Sequence, residues 1–366
     1  MLSNLEMLQK VWEWSKENLT TEEMNNNLLL GTDNEGRTAC HLAAKCGNLE
    51  MLQTVWKGAE EKLTTEEINN KFLVGTDNQG RTAWHWAALW GNLEMLQKVW
   101  EWSKDKLTTV EINNLLLGTD NQGWTAWHLA AICGNLEMLR TVWEWAEEKL
   151  TTEEINNKLL LGTDKEGRTA WHWAAMWGNL EMLQEVWEWS KVKLTTEEIN
   201  NNLLLGTDGE GRTAWHVAAH CGTLESLQKV WEWAEEKLTT KEINNKLLLA
   251  TDNEGRTVWH LAAMYDSIES LQKVWEWAKE KLTTEEINNK LLLSTDNEGK
   301  TAWHLAVMWG TLKSLQKVWK WAKEKLTTEE INNKLLLGTD IEGRTAWHMA
   351  VRCGFLEVQK KSVGVG

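Results

Sequence analysis

The chain has 366 residues, with 54 acidic side chains against 39 basic ones and a net charge of −15. It therefore lacks the basic surface that neutralising a phosphate backbone would need, and nucleic acid is not an expected partner. No stretch approaches 18 uncharged apolar residues, and the first twenty carry Glu6, Lys10, Glu13, Lys16 and Glu17, so neither a membrane span nor a secretory leader is expected and the chain reads as cytoplasmic.

The five cysteines, Cys40, Cys46, Cys133, Cys221 and Cys353, are odd in number and lack CxxC spacing, which fits reduced thiols better than a disulfide framework. Self-similarity dominates the rest. Thr-Ala-Trp-His or a close variant recurs with its histidine at His41, His85, His128, His172, His216, His260, His304 and His348, a period of 44 with a single 43. The short copy lacks one residue between Asn114 and Leu115. The expected organisation is a partial repeat at 1–30, seven complete repeats over 31–337, and a partial repeat with a flexible tail at 338–366, with no domain boundary inside the array. A near-alternation overlies this, Cys46, Trp90, Cys133, Trp177, Cys221, Tyr265, Trp309 and Cys353, as if a two-repeat unit had been duplicated.

In chain order, the sequence opens inside a helix at Leu2-Ser3-Asn4-Leu5, without the helix that precedes it in every other copy. An unsupported end of this kind predicts either a piece of a longer array or association through the ends. Copy 162–205 shows a full unit. Thr169 caps a short helix from Ala170 to Trp177, and Gly178 suits the left-handed position that closes it. A second helix, Asn179 to about Lys193, puts Leu180, Leu183, Val186, Trp187 and Leu194 on one stripe and Glu181, Gln184, Glu185 and Glu188 elsewhere. Thr195-Thr196-Glu197-Glu198 is a capping box for a third helix with Ile199, Leu203 and Leu204 on its apolar side. Gly206 ends it, and Thr207-Asp208-Gly209-Glu210-Gly211 reads as a tight turn into the next unit. Copy 75–117, one residue short, implies ~100° of helical rotation, which the run Leu115-Leu116-Leu117 is expected to absorb. In copy 250–293, Asp266 stands where the closing glycine belongs.

These residues carry a resemblance. Asp164-Lys165-Glu166-Gly167-Arg168-Thr169-Ala170-Trp171-His172 resembles the ankyrin signature D-x-x-G-x-T-P-L-H, and Ala174-Ala175 followed by Gly178-Asn179-Leu180-Glu181 resembles its continuation. Gly58-Ala59 in the first complete copy also resembles the ankyrin Gly-Ala that ends the second helix, where other copies have Trp-Ala or Trp-Ser. The implied fold is all-α, an ankyrin-like helical solenoid of about eight three-helix repeats; a HEAT-like or armadillo-like stack of similar period is the alternative. Three departures stand out: alanine replaces the signature proline, tryptophan replaces leucine, and about eleven extra residues form the third helix. They leave the family's protruding hairpin unassigned.

Tryptophan supplies much of the expected core. The Val-Trp position of the second helix (Trp12, Trp56, Trp100, Trp143, Trp187, Trp231, Trp275, Trp319) and the Ala-Trp position of the first (Trp84, Trp127, Trp171, Trp215, Trp259, Trp303, Trp347) fall where ankyrins place core leucine. A third set, Trp14, Trp102, Trp145, Trp189, Trp233, Trp277 and Trp321, is two residues from the core position and is expected to cover the third helix.

Little in the sequence points to catalysis or to a cofactor. The signature histidines resemble the ankyrin histidine that hydrogen-bonds near the turn. His216, His220 and Cys221 have usable zinc spacing but no fourth ligand. The Thr-Glu-Glu carboxylates read as caps rather than an acid–base pair, and the paired asparagines are expected to bond within the short helix. The chain is thus expected to be no enzyme and to need no cofactor or metal. Function is sought where copies differ. In ankyrins the corresponding positions line a concave protein-binding face, so the resemblance implies a partner-binding set of Arg37, Lys45, Arg81, Leu89, Trp90, Trp124, Ile132, Arg168, Met176, Trp177, Arg212, His220, Met264, Tyr265, Met308 and Trp309. The expected function is a scaffold recognising a partner protein; the alternative is a structural or self-associating array, joined end to end.

Overall fold

The computed structural model describes residues 2–264 and 267–352. Tyr265, Asp266 and the tail 353–366, with the expectations attached to them, lie outside the described residues. Contacts divide the chain into two compact units, Met1–Lys165 and Glu166–Gly366, and the division falls within one turn. Every regular element among the described residues is helical.

The local signals of copy 162–205 produce the elements they imply. The first helix runs Ala170–Trp177 and ends on Gly178 at φ 67°, a left-handed conformation that costs glycine little. The second runs Leu180–Lys193, its free N-terminus satisfied by Asn179, which accepts from the Met182 N–H at 3.0 Å. Leu183, Val186 and Trp187 are buried, and Met182, absent from the expected stripe, is buried with them. Next, the Thr195 N–H donates to Glu198 Oε2 at 2.7 Å and the Glu198 N–H donates back to Thr195 Oγ1 at 3.2 Å, so the capping box forms.

The third helix differs from its expected form. Only Thr196–Glu198 is α-helical, and Ile199–Leu204 is a π-helix closed by Leu205 N–H donating to Asn200 O at 3.0 Å. The same change occurs at Ile68–Leu73 and Ile155–Leu160 in the first unit, and at Ile243–Leu248, Ile287–Leu292 and Ile331–Leu336 in the second. In the short copy, by contrast, Thr109–Leu117 is α-helical throughout. The two facts explain each other. A π-turn holds about one residue more than an α-turn, so the surplus residue (Lys158, for example) bulges to the surface while the leucines beyond it keep their places. Leu115 and Leu116 are buried as their counterparts Leu159 and Leu160 are. The expected rotation therefore never arises: the short copy is the regular helix and its neighbours carry the insertion. Deleting Lys246 should turn Ile243–Leu248 into an α-helix at a stability cost under ~1 kcal/mol; a large fall in the urea midpoint would show that the π-turn itself is needed.

The recurring asparagines acquire a role that the expectation of bonding within the helix missed. In five copies the first of the pair reaches into the next copy and donates to the carbonyl at the end of its second helix: Asn25 to Lys62 O at 3.0 Å, Asn69 to Lys106 O at 2.9 Å, and in the second unit Asn200 to Lys237 O at 3.3 Å, Asn244 to Lys281 O at 2.9 Å and Asn288 to Lys325 O at 3.1 Å. Those carbonyls lack a helical partner, so each asparagine both caps and joins.

The third set of tryptophans also does something other than expected. Instead of covering the third helix, five of them stack on the second-helix tryptophan of the preceding copy, while Trp14 is exposed. In the first unit Trp102 lies on Trp56 (centroids 4.2 Å apart, planes 2° apart) and Trp145 on Trp100 (4.7 Å). In the second unit Trp233 lies on Trp187, Trp277 on Trp231 and Trp321 on Trp275, at 4.7, 4.6 and 4.9 Å. The first-helix tryptophan completes a three-ring cluster, as with Trp171 at 5.9 Å from Trp187 and 5.4 Å from Trp233. Offset-stacked and tilted rings are the favoured aromatic geometries. Neighbouring copies are thus joined through aromatic surface that neither could bury alone.

Candidate partner-binding face

The turns and first helices that carry the variable residues are held rigidly. In the second unit, Asp208 Oδ1 accepts from the N–H groups of Glu210 and Arg212 at 3.0 and 2.9 Å, and an antiparallel bridge pairs Thr207 with Thr213. The hairpin therefore survives in short form. Successive turns are tied by backbone bonds from Asn253 N–H to Glu210 O and from Asn297 N–H to Glu254 O, both 2.8 Å, and in the first unit from Asn78 N–H to Glu35 O at 2.9 Å and from Asn121 N–H to Gln79 O at 2.8 Å. Gly211 takes φ 77°, and a Cβ there would meet the Asn253 backbone nitrogen at 3.0 Å, so the turn needs glycine for both reasons.

Behind the turns, six of the signature histidines, His41, His85, His128, His216, His260 and His304, bond through both ring nitrogens. Thr213 Oγ1 lies 2.8 Å from His216 Nδ1, and His216 Nε2 is 3.2 Å from Ala250 O. A neutral ring donating from Nε2 to the carbonyl and accepting at Nδ1 satisfies both contacts. Burial lowers the pKa of His41, His85, His128, His216 and His304, and that of His260 to about 4. His216 consequently has no nitrogen free to share a metal with His220 and Cys221.

The basic residues of the expected set are tied down to different degrees. Arg37 pairs with Asp33 and Glu35, both at 2.7 Å. Arg212 is buried and pairs with Asp208 at 2.8 Å and Glu210 at 2.9 Å. Arg168 is also buried, pairs with Glu166, and lies 4.0 Å from the Trp173 ring centroid. In copy 75–117 the Trp86 indole N–H takes Asp77 Oδ2 at 2.9 Å, so Arg81 reaches instead to Asp120 of the next copy at 2.9 Å, and Trp124 donates to Asp164 at 3.0 Å. Trp86 is thus part of this face although the sequence reading passed over it; the signal was its alternation with leucine, Leu42, Trp86, Leu129, Trp173. Lys45 sits 5.1 Å from the Trp86 ring centroid. His220 is half-buried, and burial together with Arg212 and Arg256 lowers its pKa to about 4.

The apolar residues divide by depth. Leu89, Ile132, Met176 and Met308 are half-buried, whereas Met264 is buried against Leu261 and Leu305, which leaves it little surface for a partner. The exposed members are the tryptophans one position on: Trp90 in the first unit (57% exposed) and Trp177 and Trp309 in the second (60% and 52%).

A family model described as ankyrin repeats matches the chain in three overlapping stretches, 15–109, 68–153 and 102–197, together half of its length. The chain belongs to the ankyrin-repeat family. These ankyrin repeats keep the family's turn, its paired first and second helices and its histidine, and they carry tryptophan in place of core leucine with a third helical segment appended. No curated protein matches the chain as a relative. No helix among the described residues is long and apolar enough to cross a membrane.

Proposed function

We propose that this ankyrin-repeat chain is a non-enzymatic scaffold that binds a partner protein through the turn and first-helix face of its units. Ankyrin repeats are in general protein-interaction scaffolds. The observation that carries the reading for this chain is the exposure of Trp90, Trp177 and Trp309 beside half-buried Leu89, Met176 and Met308. Large aromatic side chains on a pre-ordered surface are the residues that most often dominate protein–protein affinity, and the paired turns keep them ordered before binding.

The experiment is a quantitative pull-down with the wild-type chain, a Met176→Glu/Trp177→Ala/Trp309→Ala variant, and a Val192→Ser control at another exposed apolar position. Proteins retained by wild type and control should fall by ~30-fold with the triple variant, the equivalent of a ~2 kcal/mol hot spot, while its urea midpoint stays near that of wild type. Equal retention by all three chains would remove the face from consideration. A second reading, self-association, draws on the exposed Leu337, Ile341, Trp347 and Val351 of the second unit. Light-scattering mass across a dilution series separates the two, a concentration-independent monomer favouring the first.

A further inference from the structure

One second helix of the second unit reverses the charge of its outer face. In the three preceding copies the second helices, Leu180–Lys193, Leu224–Lys237 and Ile268–Lys281, carry glutamate at their second and ninth residues, as Glu181 and Glu188, Glu225 and Glu232, and Glu269 and Glu276. In Leu312–Lys325 both positions are lysine, Lys313 and Lys320, with Lys317 between them. Spacings of four and three put the three ammonium groups on one side of the helix. Lys313 and Lys320 are exposed, but so are the glutamates that replace them in the preceding copies, and Lys317 is half-buried as Lys229 and Lys273 are. The exposure thus belongs to the register and not to the helix's place in the chain. The ion pairs change with the charge. Lys229 holds Glu232 at 2.8 Å and Lys273 holds Glu276 at 2.9 Å, whereas among the described residues Lys313 and Lys317 enter no ion pair and Lys320 has only Glu324 at 4.0 Å.

Such a face is unfavourable for folding alone. Like charges four residues apart repel along a helix, and Lys313 stands in the first turn, at the positive end of the helix dipole, where the other three helices have glutamate. An anion laid along the face relieves both. We infer that this face is a docking site for a short acidic peptide segment of a partner, lying along the one helix with its carboxylates against Lys313, Lys317 and Lys320. The width of the patch selects that occupant. The helix packs beside Ile268–Lys281, whose Glu269 and Glu276 are exposed, so a broad polyanion such as a nucleic acid or an anionic lipid surface meets those carboxylates, and the net charge of −15 repels it further. A segment one helix wide touches the lysines alone. The site lies apart from the turn and first-helix face and does not depend on the reading of that face.

The test is fluorescence anisotropy of a labelled alanine-based helical peptide, carrying three glutamates spaced four and three residues apart, titrated with the full chain; the same peptide with glutamine is the control. Lys313→Glu/Lys320→Glu restores the pattern of the preceding copies, and Lys241→Glu/Lys246→Glu, at two other exposed lysines of the unit, matches its net charge. The wild-type chain should bind the glutamate peptide saturably at low ionic strength, more weakly as salt is added, and the glutamine peptide not at all. Lys313→Glu/Lys320→Glu should bind at least roughly tenfold more weakly while its urea midpoint rises, because the like-charge contacts are gone. The charge-matched variant should bind within about threefold of wild type. Absence of saturable binding by wild type, equal binding of the glutamine peptide, or an equal loss in both variants overturns the inference. Tighter binding to phosphatidylserine vesicles than to the peptide also overturns it, in favour of a lipid surface.

Discussion

Trp171→Ala is expected to lower the stability of the second unit by ~3–5 kcal/mol, the range for truncating a large buried aromatic. The ring has no exposed surface and packs against both Trp187 and Trp233, so its removal empties the centre of a three-ring cluster and loosens two copies at once. Its indole N–H has no hydrogen-bond partner, which costs ~1–3 kcal/mol. Burial of ~150–250 Å² at ~25 cal/mol/Å² returns ~4–6 kcal/mol, and the balance favours the ring. Trp171→Leu, the family's usual residue, should cost less than the alanine change: both remove the orphan N–H, and leucine keeps more of the buried apolar area. Urea denaturation of the three chains gives the order wild type, leucine, alanine; an alanine variant as stable as wild type would mean that Trp171 lies outside the core.

Acidification is expected to destabilise the array well before its carboxylates titrate. The folded pKa of His41, His85, His128, His216, His260 and His304 is lowered by burial, so the unfolded chain, with ordinary values near 6.5, binds protons that the folded chain refuses. The stability of the neutral rings is therefore complete above about pH 6.5 and is lost as the pH falls towards the folded values, about 4 for His260. Each ring contributes a slope of up to ~1.4 kcal/mol per pH unit within that window. The capping glutamates Glu67, Glu198 and Glu286, whose pKa values are lowered chiefly by hydrogen bonds from their threonines, add a smaller loss at still lower pH. Urea midpoints at pH 7.5, 5.5 and 4.5 should fall steeply and in that order. A flat profile over the same interval would show that the rings titrate alike in both states.

What could be read in the sequence was local, and what could not depended on a neighbouring copy. Thr169 and Gly178 bracket a helix by chemistry that acts within a few residues, and Ala170–Trp177 follows. Glu198 three residues after Thr195 behaves the same way. The π-turn at Ile199–Leu204 is different, because Ile199, Leu203 and Leu204 fit an α-helical side equally well and only the residue missing after Asn114 betrays the surplus. The third tryptophan set posed another ambiguity: its spacing excludes the direction of Trp187 but does not say which copy Trp233 faces. Asn244 likewise finds its acceptor 37 residues away. On the candidate face the sequence picked out the variable positions, yet the depth of Arg212 and Met264 depends on Asp208 in one case and on Leu261 and Leu305 in the other. Arg212 stands four residues from Asp208, so that pairing was open to reading; the burial of Met264 was not.

Hydroxyl-radical footprinting of the tryptophans, read by mass spectrometry on the free chain and again with a captured partner, tests inside and outside together. The free chain should be modified readily at Trp90, Trp177 and Trp309 and slowly at Trp84, Trp171, Trp215 and Trp259, and the partner should protect the first group without changing the second. Modification of Trp171 or Trp215 as fast as Trp177, or a bound partner that leaves all three exposed tryptophans as reactive as before, would contradict the account.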